Sequence, residues 1–431
     1  MRPGAHIRSA IEVLEDILAR HQPAATALAD WGKSHRFAGS RDRAAIGNLV
    51  YDSLRRMRSL AAQMGSDTPR AIVLGAAPRA LGLSPDKVVA SADGSAYAID
   101  ALSEDEVRRL AARLSADAPP SVSGDFPAWL EPSFARAFGE SAAAEGAALA
   151  RRAPVDLRVN TLKADRDKVL KALARFSPQA APLSPVGVRL PPPEGAGRQP
   201  DVEAEPGHGR GWYEVQDEGS QIAALMAGAG PRQQVLDICA GAGGKTLAFA
   251  AVMRNTGQVY AYDEEAPRLR PIFERLKRAG VRNAQVLAAG DSAALAGLGA
   301  RFDLVFVDAP CSGSGAWRRR PDAKWRLKPA NLAQRRHEQQ AVLAAAVPMV
   351  KPGGRLVYAT CSVLPEENAD QVAWLMARHP SFALVPWRDS WSAGVGREPP
   401  ESADGSDDTL LLTPERHGTD GFFIAVMRRA S

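Results

Sequence analysis

"VLDICAGAGGKT", residues 235–246, decides the fold. An apolar run containing Val235, Leu236 and Ile238 breaks at a turn holding Gly241, Gly243 and Gly244. "KTLAFAAVM" (245–253) then continues as an apolar helix. A strand passing through a glycine turn straight into a helix opens a parallel α/β sheet. The glycines let backbone approach a ligand, and the helix start adds positive potential. A Walker A loop needs glycine five positions before its Gly-Lys pair, and Cys239 stands there instead. The dinucleotide pattern G-x-G-x-x-G also fails, because Gly241-Ala242-Gly243-Gly244 runs into Lys245 and Thr246.

Downstream, strand-like and helical stretches alternate. "QVYAYD" (258–263), "AQVLAAGD" (284–291), "RFDLVFVDAP" (301–310), "GRLVYATCS" (354–362) and "GFFIAVMRR" (421–429) read as strands. "RLRPIFERLKRAG" (268–280) and the region near Asn331 to Val350 read as helices. This alternation predicts an open, mostly parallel sheet wrapped by helices. The stretch from Trp387 to Thr413, rich in Pro, Gly, Ser and Asp, is expected to be a long surface loop.

Two acids close the next strands. Asp263 follows Gly241 by about 22 residues, where a carboxylate can accept both hydroxyls of a ribose. Asp291 ends the third strand, within reach of an adenine amino group. With the glycine turn, they describe a site for S-adenosylmethionine. Each acid alone is also an ordinary turn residue.

The chain has three cysteines. Cys311 and Cys361 each follow a strand, while Cys239 lies in the glycine turn and is expected to line the pocket. A thiolate beside a methyl donor suits cytosine C5, a poor nucleophile until sulfur adds at C6. Asp308, ending the strand before Cys311, would polarise the ring, and nearby cationic charge would lower a thiol pKa. The bland alternative is two buried, inert cysteines. Residue physics alone does not choose between the two thiols.

Composition sets the frame. The 431 residues exceed one ordinary core, and 45% hydrophobic with 24% charged residues describes a globular chain. So few cysteines predict a reducing compartment, and the seven histidines show no ligand spacing with them, so no metal site is expected. Acids interrupt the first helix, and no uncharged stretch is long enough for a membrane span, which together predict a cytoplasmic protein. Net charge is +5, but residues 318–336 carry eight Lys/Arg against one Asp. With Trp317 and Trp325 beside them, these cations favour a nucleic-acid partner over a merely solvated face. At the front, Ile7, Ile11, Leu14 and Leu18, then Ile46, Leu49, Leu54, Met57 and Leu60, fall at helical spacing. Arg55, Arg56 and Arg58 are expected on the exposed face. A short strand around Leu157 to Asn160, followed by a helix from Asp165, starts a small α+β unit.

"DICAGAGGKT", "DAPCSGSGAWRRRPDAKWR", "YATCSVLPEENADQV" and "HGTDGFFIAVMRR" closely resemble the Sun (Fmu)-type bacterial RNA cytosine-5 methyltransferases, relatives of the nucleolar proliferation-antigen enzymes. The likeness extends from about Phe126 to the C-terminus and includes "DLRVNTLKAD" and "GWYEVQDEGSQIAAL". It implies a Rossmann-like class I methyltransferase sheet over residues 211–431. A small RRM-like α+β domain with linker helices would occupy 126–210, and an all-helical NusB-like RNA-binding domain 1–125. It makes Cys361 the nucleophile and Cys311 the residue assisting product release. It puts the S-adenosylmethionine contacts on Cys239, Ala240, Gly241, Ala242, Gly243, Gly244, Lys245, Asp263, Asp291 and Asp308, with Asp308 also serving the base. The implied substrate is a cytosine in 16S rRNA, with tRNA as the alternative target, and a monomer is expected. A non-catalytic RNA-binding assembly factor is the reading from another class. The front match, "AGSRDRAAIGNLVYDSLRRMRSL" (38–60), is the weaker one.

Overall fold

The computed structural model describes residues 1–431, folded as two units. The first unit gathers Met1–Arg152, Pro192–Gln199 and Trp317–Leu327. Its helices include Pro3–Arg20, Ala24–Ser34, Ser40–Arg55, Met57–Met64 and Pro69–Leu81. Each turns an apolar stripe inward: Ile7, Leu14, Ile46, Leu49, Leu54 and Leu60 are buried, with Ile11, Leu18 and Met57 packed against them. Thr68 caps the helix Pro69–Leu81, and Ser103 with Glu106 forms a reciprocal box at Glu104–Leu110.

Arg55, Arg56 and Arg58 depart from expectation, since none is fully exposed. Arg55 pairs with Asp52 at 2.9 Å and donates twice to the Arg318 carbonyl, at 3.1 and 3.0 Å. That carbonyl belongs to the late segment Trp317–Leu327, whose helix Pro321–Arg326 is part of this unit. Trp325 Nε1 donates to the Leu54 carbonyl at 2.6 Å, and buried Lys324 donates to the Arg55 carbonyl at 2.8 Å. Trp317 is buried and stacks 6.2 Å from Phe134. Both tryptophans of the basic run are therefore packing residues, not an open stacking platform. Arg320, Arg326, Lys328, Arg335 and Arg336 are the cations left exposed.

The second unit holds Ala153–Pro191, Pro200–Ala316 and Lys328–Ser431. It begins with β1 (Val155–Val159), β2 (Gln179–Ala180), β3 (Gly187–Leu190) and β4 (Tyr213–Val215), an antiparallel sheet in the order β2-β3-β1-β4. The helix Arg166–Ala172 crosses it, capped by Asp165 accepting from the Lys168 amide at 2.8 Å. Buried charge joins this sheet to later parts of the same unit. Glu214 on β4 accepts from Arg275 and Arg278, and Arg158 reaches Gln216 at 2.6 Å and the Gly244 carbonyl at 3.3 Å.

The large sheet comprises β5 (Gln234–Asp237), β6 (Gln258–Ala261), β7 (Ala284–Val286), β8 (Phe302–Asp308), β9 (Val350–Thr360), β10 (Phe382–Val385), β11 (Leu410–Leu412) and β12 (Phe422–Arg429). Its order is β10-β12-β9-β8-β5-β6-β7, with β11 also paired to β12. Strands β5 to β9 are parallel, and β12 enters antiparallel beside β9. Central strands are apolar on both faces because helices cover both. The winding reverses at β5, with β6 on one side and β8 on the other. A crevice opens at such a reversal, beyond the carboxyl ends of the strands.

The stretch Trp387–Thr413 is not a loop throughout. It contains the helix Trp387–Gly394 and β11. Trp387 and Trp391, one helical turn apart, are buried and donate to the Ser406 and Arg397 carbonyls. Two indoles on one face outweigh the surrounding turn-rich composition. No helix of the chain is long and apolar enough to cross a membrane.

Candidate active site

The reversal at β5 collects the predicted residues. Gly241 and Gly243 have φ of +48° and +84°, left-handed values that favour glycine. A side chain at Gly243 would also meet Ile272 Cγ1 at 2.5 Å, so the turn packs tightly on its outer side. At Gly241 the nearest atoms to an added Cβ are 3.9 Å away, on Arg268 and Asp263. No side chain caps the helix Gly244–Val252. The Thr246 amide is turned to Asp237, and the amides of Gly244 and Lys245 remain available to a ligand.

Around this turn stand the acids. Asp263 is buried, its Oδ2 accepting from the Gly241 amide at 2.9 Å and its Oδ1 from Glu265 at 3.0 Å. Both oxygens thus already shape the loop, while retaining lone pairs for further donors. Asp291 is exposed and caps the helix Ser292–Gly297 through Oδ1. Asp237, which the motif contains but sequence reasoning left unused, is fully buried at the end of β5. Its Oδ2 accepts from Thr246 Oγ1 at 2.7 Å, and its Oδ1 is buried with no partner. Burial pushes its pKa up to about 7. An open cradle, uncapped amides and an orphaned buried acceptor fit a ligand bearing hydroxyl, amino and carboxylate groups, as S-adenosylmethionine does.

Lys245 is no surface lysine. It is buried, donates to Asp308 Oδ2 at 2.8 Å, and lies 5.0 Å from the Phe422 ring centroid. This places a cation and a carboxylate side by side at the ends of β5 and β8.

Register brings the thiols together. Asp308 on β8 faces Ala359 on β9, so the two chains leave the sheet side by side. Cys311 Sγ and Cys361 Sγ are 3.4 Å apart, both half-buried and free. The expected lowering of thiol pKa by nearby cations is not what Cys311 experiences. Its hydrogen bond with Cys361 pushes it well above the usual thiol range, with burial and the Glu367 charge adding to the shift. Cys239 is also pushed well up, by burial first and then by Asp237, Asp263 and Asp308. A thiol so placed is a poor nucleophile.

Sequence reasoning missed a third group. Glu367, at the end of the turn Pro365–Glu367, is fully buried, as is Asn368 after it. Glu367 Oε1 and Oε2 accept from Ser312 N and Oγ at 2.7 and 2.5 Å. The only linear signal was an acid-rich "PEEN" following the Thr-Cys strand.

Comparisons with known proteins agree with this geometry. The family described as 16S rRNA methyltransferase RsmB/F matches residues 225–428, and the ferredoxin-like domain of RsmF/B-like methyltransferases matches 126–194. A probable ribosomal RNA small subunit methyltransferase B from Synechocystis is 33% identical over 313 residues, covering 71% of this chain and 67% of the relative. The chain spans about two thirds of the length of the curated relatives it matches first. Among solved structures, PH0851 superposes over 100% of this chain and 99% of its own, with TM-score 0.73 and 24% identity. NSun6 from Pyrococcus horikoshii with SFG covers 71% and 99%, with TM-score 0.62 and 21% identity. At these identities the two structures speak for the fold. The cofactor of this family is S-adenosylmethionine. Sheet order, glycine cradle, paired thiols and relatives converge: the chain belongs to the RsmB/F family of 16S rRNA methyltransferases.

Proposed function

We propose that the chain methylates C5 of a cytosine in 16S rRNA through a transient bond between Cys361 and C6. The observation that carries this reading is the 3.4 Å contact between Cys361 and Cys311, reached from the same strand end as Asp308. S-adenosylmethionine supplies an electrophilic sulfonium methyl. The glycine turn Cys239–Lys245, Asp263, Asp291 and Asp308 are the residues that would hold it.

The remaining work falls to side chains. The contact with Cys361, then burial, pushes Cys311 well above the usual thiol range, which suits it to hold a proton. The role of nucleophile goes to Cys361 by the resemblance of its Thr-Cys motif to the RNA enzymes. Bond formation between Cys361 Sγ and C6 moves ring electrons towards C5 and the N3–N4 edge. Lys245 and Asp308, a donor and an acceptor, are fitted to that edge, which presents an acceptor at N3 and a donor at N4. After C5 is alkylated, a base takes its proton, the C5–H pair re-forms the C5–C6 double bond, and the C6–S pair leaves with Cys361. The Cys311 thiol then donates to the departing sulfur.

The exposed cations beyond Leu327 support a polyanionic substrate. Cys361→Ala is expected to abolish methylation. Cys311→Ala is expected to accumulate a protein–RNA adduct that survives a denaturing gel. Bisulfite sequencing of total RNA from cells with and without the protein locates the target; a site lost only from tRNA would redirect the reading. An active Cys361→Ala protein would refute it, and absence of methylation with any RNA would favour an assembly factor.

A further inference from the structure

Beyond the contact between the two sulfurs, each cysteine is bracketed by its neighbours, and the brackets converge on one dipeptide. On the Cys311 side, Glu367 takes both the amide and hydroxyl of Ser312. Gln339, on the helix Pro329–Ala346, donates to the Pro310 carbonyl at 2.9 Å and to Glu367 Oε1 at 3.2 Å. The residues before and after Cys311 are thus tied to a single carboxylate and its amide partner. On the Cys361 side, Asn368 Oδ1 accepts from Thr360 Oγ1 at 2.6 Å, and its Nδ2 donates to the Ser362 carbonyl at 2.9 Å. The residues before and after Cys361 are therefore tied to the next side chain along. Tyr358 Oη donates to the Glu367 carbonyl at 2.6 Å and anchors the dipeptide to β9. Ser314 and Ser362 hydroxyls, 2.9 Å apart, close the gap between the two loops.

We propose that the buried Glu367–Asn368 dipeptide is the positioning device of the two-thiol centre, Glu367 setting the Cys311 loop and Asn368 the end of β9 so that the sulfurs touch. It rests on the two-cysteine reaction above for its purpose, though not for its geometry. A buried carboxylate is costly unless well bonded. Here burial pushes the Glu367 pKa up against four hydrogen bonds that hold it down, two of them from Ser312. Its hydrogen-bond partners Ser312, Ser362 and Gln339, and the Tyr358 hydroxyl on its carbonyl, are all neutral.

Sulfur proximity can be read directly, without RNA or cofactor. Diamide, a diazene oxidant, takes two electrons and two protons from a thiol pair, becoming a hydrazine as the disulfide forms. Its rate of linking Cys311 to Cys361, followed by peptide mass spectrometry, reports how often the sulfurs meet. Glu367→Ala and Asn368→Ala are expected to slow that rate by about tenfold or more. Glu367→Gln, which still accepts from Ser312, should keep close to the wild-type rate. In methylation assays the Ala variants should lose kcat with KM for RNA little changed. Folded Ala variants that form the disulfide at the wild-type rate would overturn the proposal. Should Glu367→Ala not fold, Ser312→Ala removes one hydroxyl from the clamp, and a wild-type rate there overturns it equally. Slow disulfide formation with unchanged methylation would keep the clamp and refute the two-cysteine reaction instead.

Discussion

Single residues decide what the glycine turn can hold. Gly243 combines positive φ with a neighbour that any side chain would strike. Gly243→Ala should therefore destabilise the fold by about 1–3 kcal/mol and weaken S-adenosylmethionine binding in calorimetry. Lys245 illustrates a signal readable only in part. Its place at the helix start was plain, but a surface lysine would look the same in a linear motif. The 2.8 Å bond to Asp308 and its burial separate the two readings. Lys245→Ala should cost about 2 kcal/mol by stranding a carboxylate, visible as a lower urea midpoint, and should stop methylation. Asp237 was in view from the start, yet nothing in the sequence marked it as the acid with a free buried oxygen.

At the scale of elements, the helix Pro321–Arg326 is the most instructive. Charge and tryptophans in "WRRRPDAKWR" matched an open RNA-binding surface as well as they matched packing. The fold assigns this piece to the helical unit, with Trp325 and Lys324 closing the carbonyls of Leu54 and Arg55 at the end of a helix. Those carbonyls would otherwise lack intrahelical partners. Trp325→Ala should remove about 3 kcal/mol from this unit, measured by denaturant unfolding. RNA affinity should fall more with Arg335 and Arg336 changed to Gln than with Trp325→Ala, if the exposed cations are the contact. The segment 387–413 teaches the same lesson in reverse, because two buried indoles made a helix of a turn-rich stretch.

At the scale of the whole molecule, one buried group in each unit should answer pH in opposite ways. Burial pushes Lys324 down to about 7 from its ordinary 10.5. Between those values the unfolded chain holds a proton that the folded chain has released. The contribution of Lys324 therefore makes the helical unit more stable as pH rises from about 7 towards 10. Burial pushes Asp237 up to about 7 from 3.8, so there the folded chain holds the extra proton. Its contribution favours folding below about pH 4 and is lost as pH rises towards 7. Lys324→Met should flatten the rise in urea midpoint between pH 7 and 9, and Asp237→Asn the fall between pH 4 and 7. An unchanged slope in either variant would mean the group is not held in its neutral form.

The sequence by itself determined the succession of strands and helices from β5 to β9, the glycine turn, the acids in the loops after β6 and β7, and the two cysteines beyond strand ends, although Asp291 lies five residues past β7 and not at its end. These follow from local spacing and turn chemistry, which neighbours along the chain suffice to dictate. Tertiary structure alone decided that β8 and β9 bring two sulfurs to 3.4 Å, that Glu367 reaches back to Ser312, and that residues 317–327 pack with the helices. Each of these joins residues at least 50 positions apart. Such pairs depend on sheet register and loop path, and no periodicity in the chain encodes them.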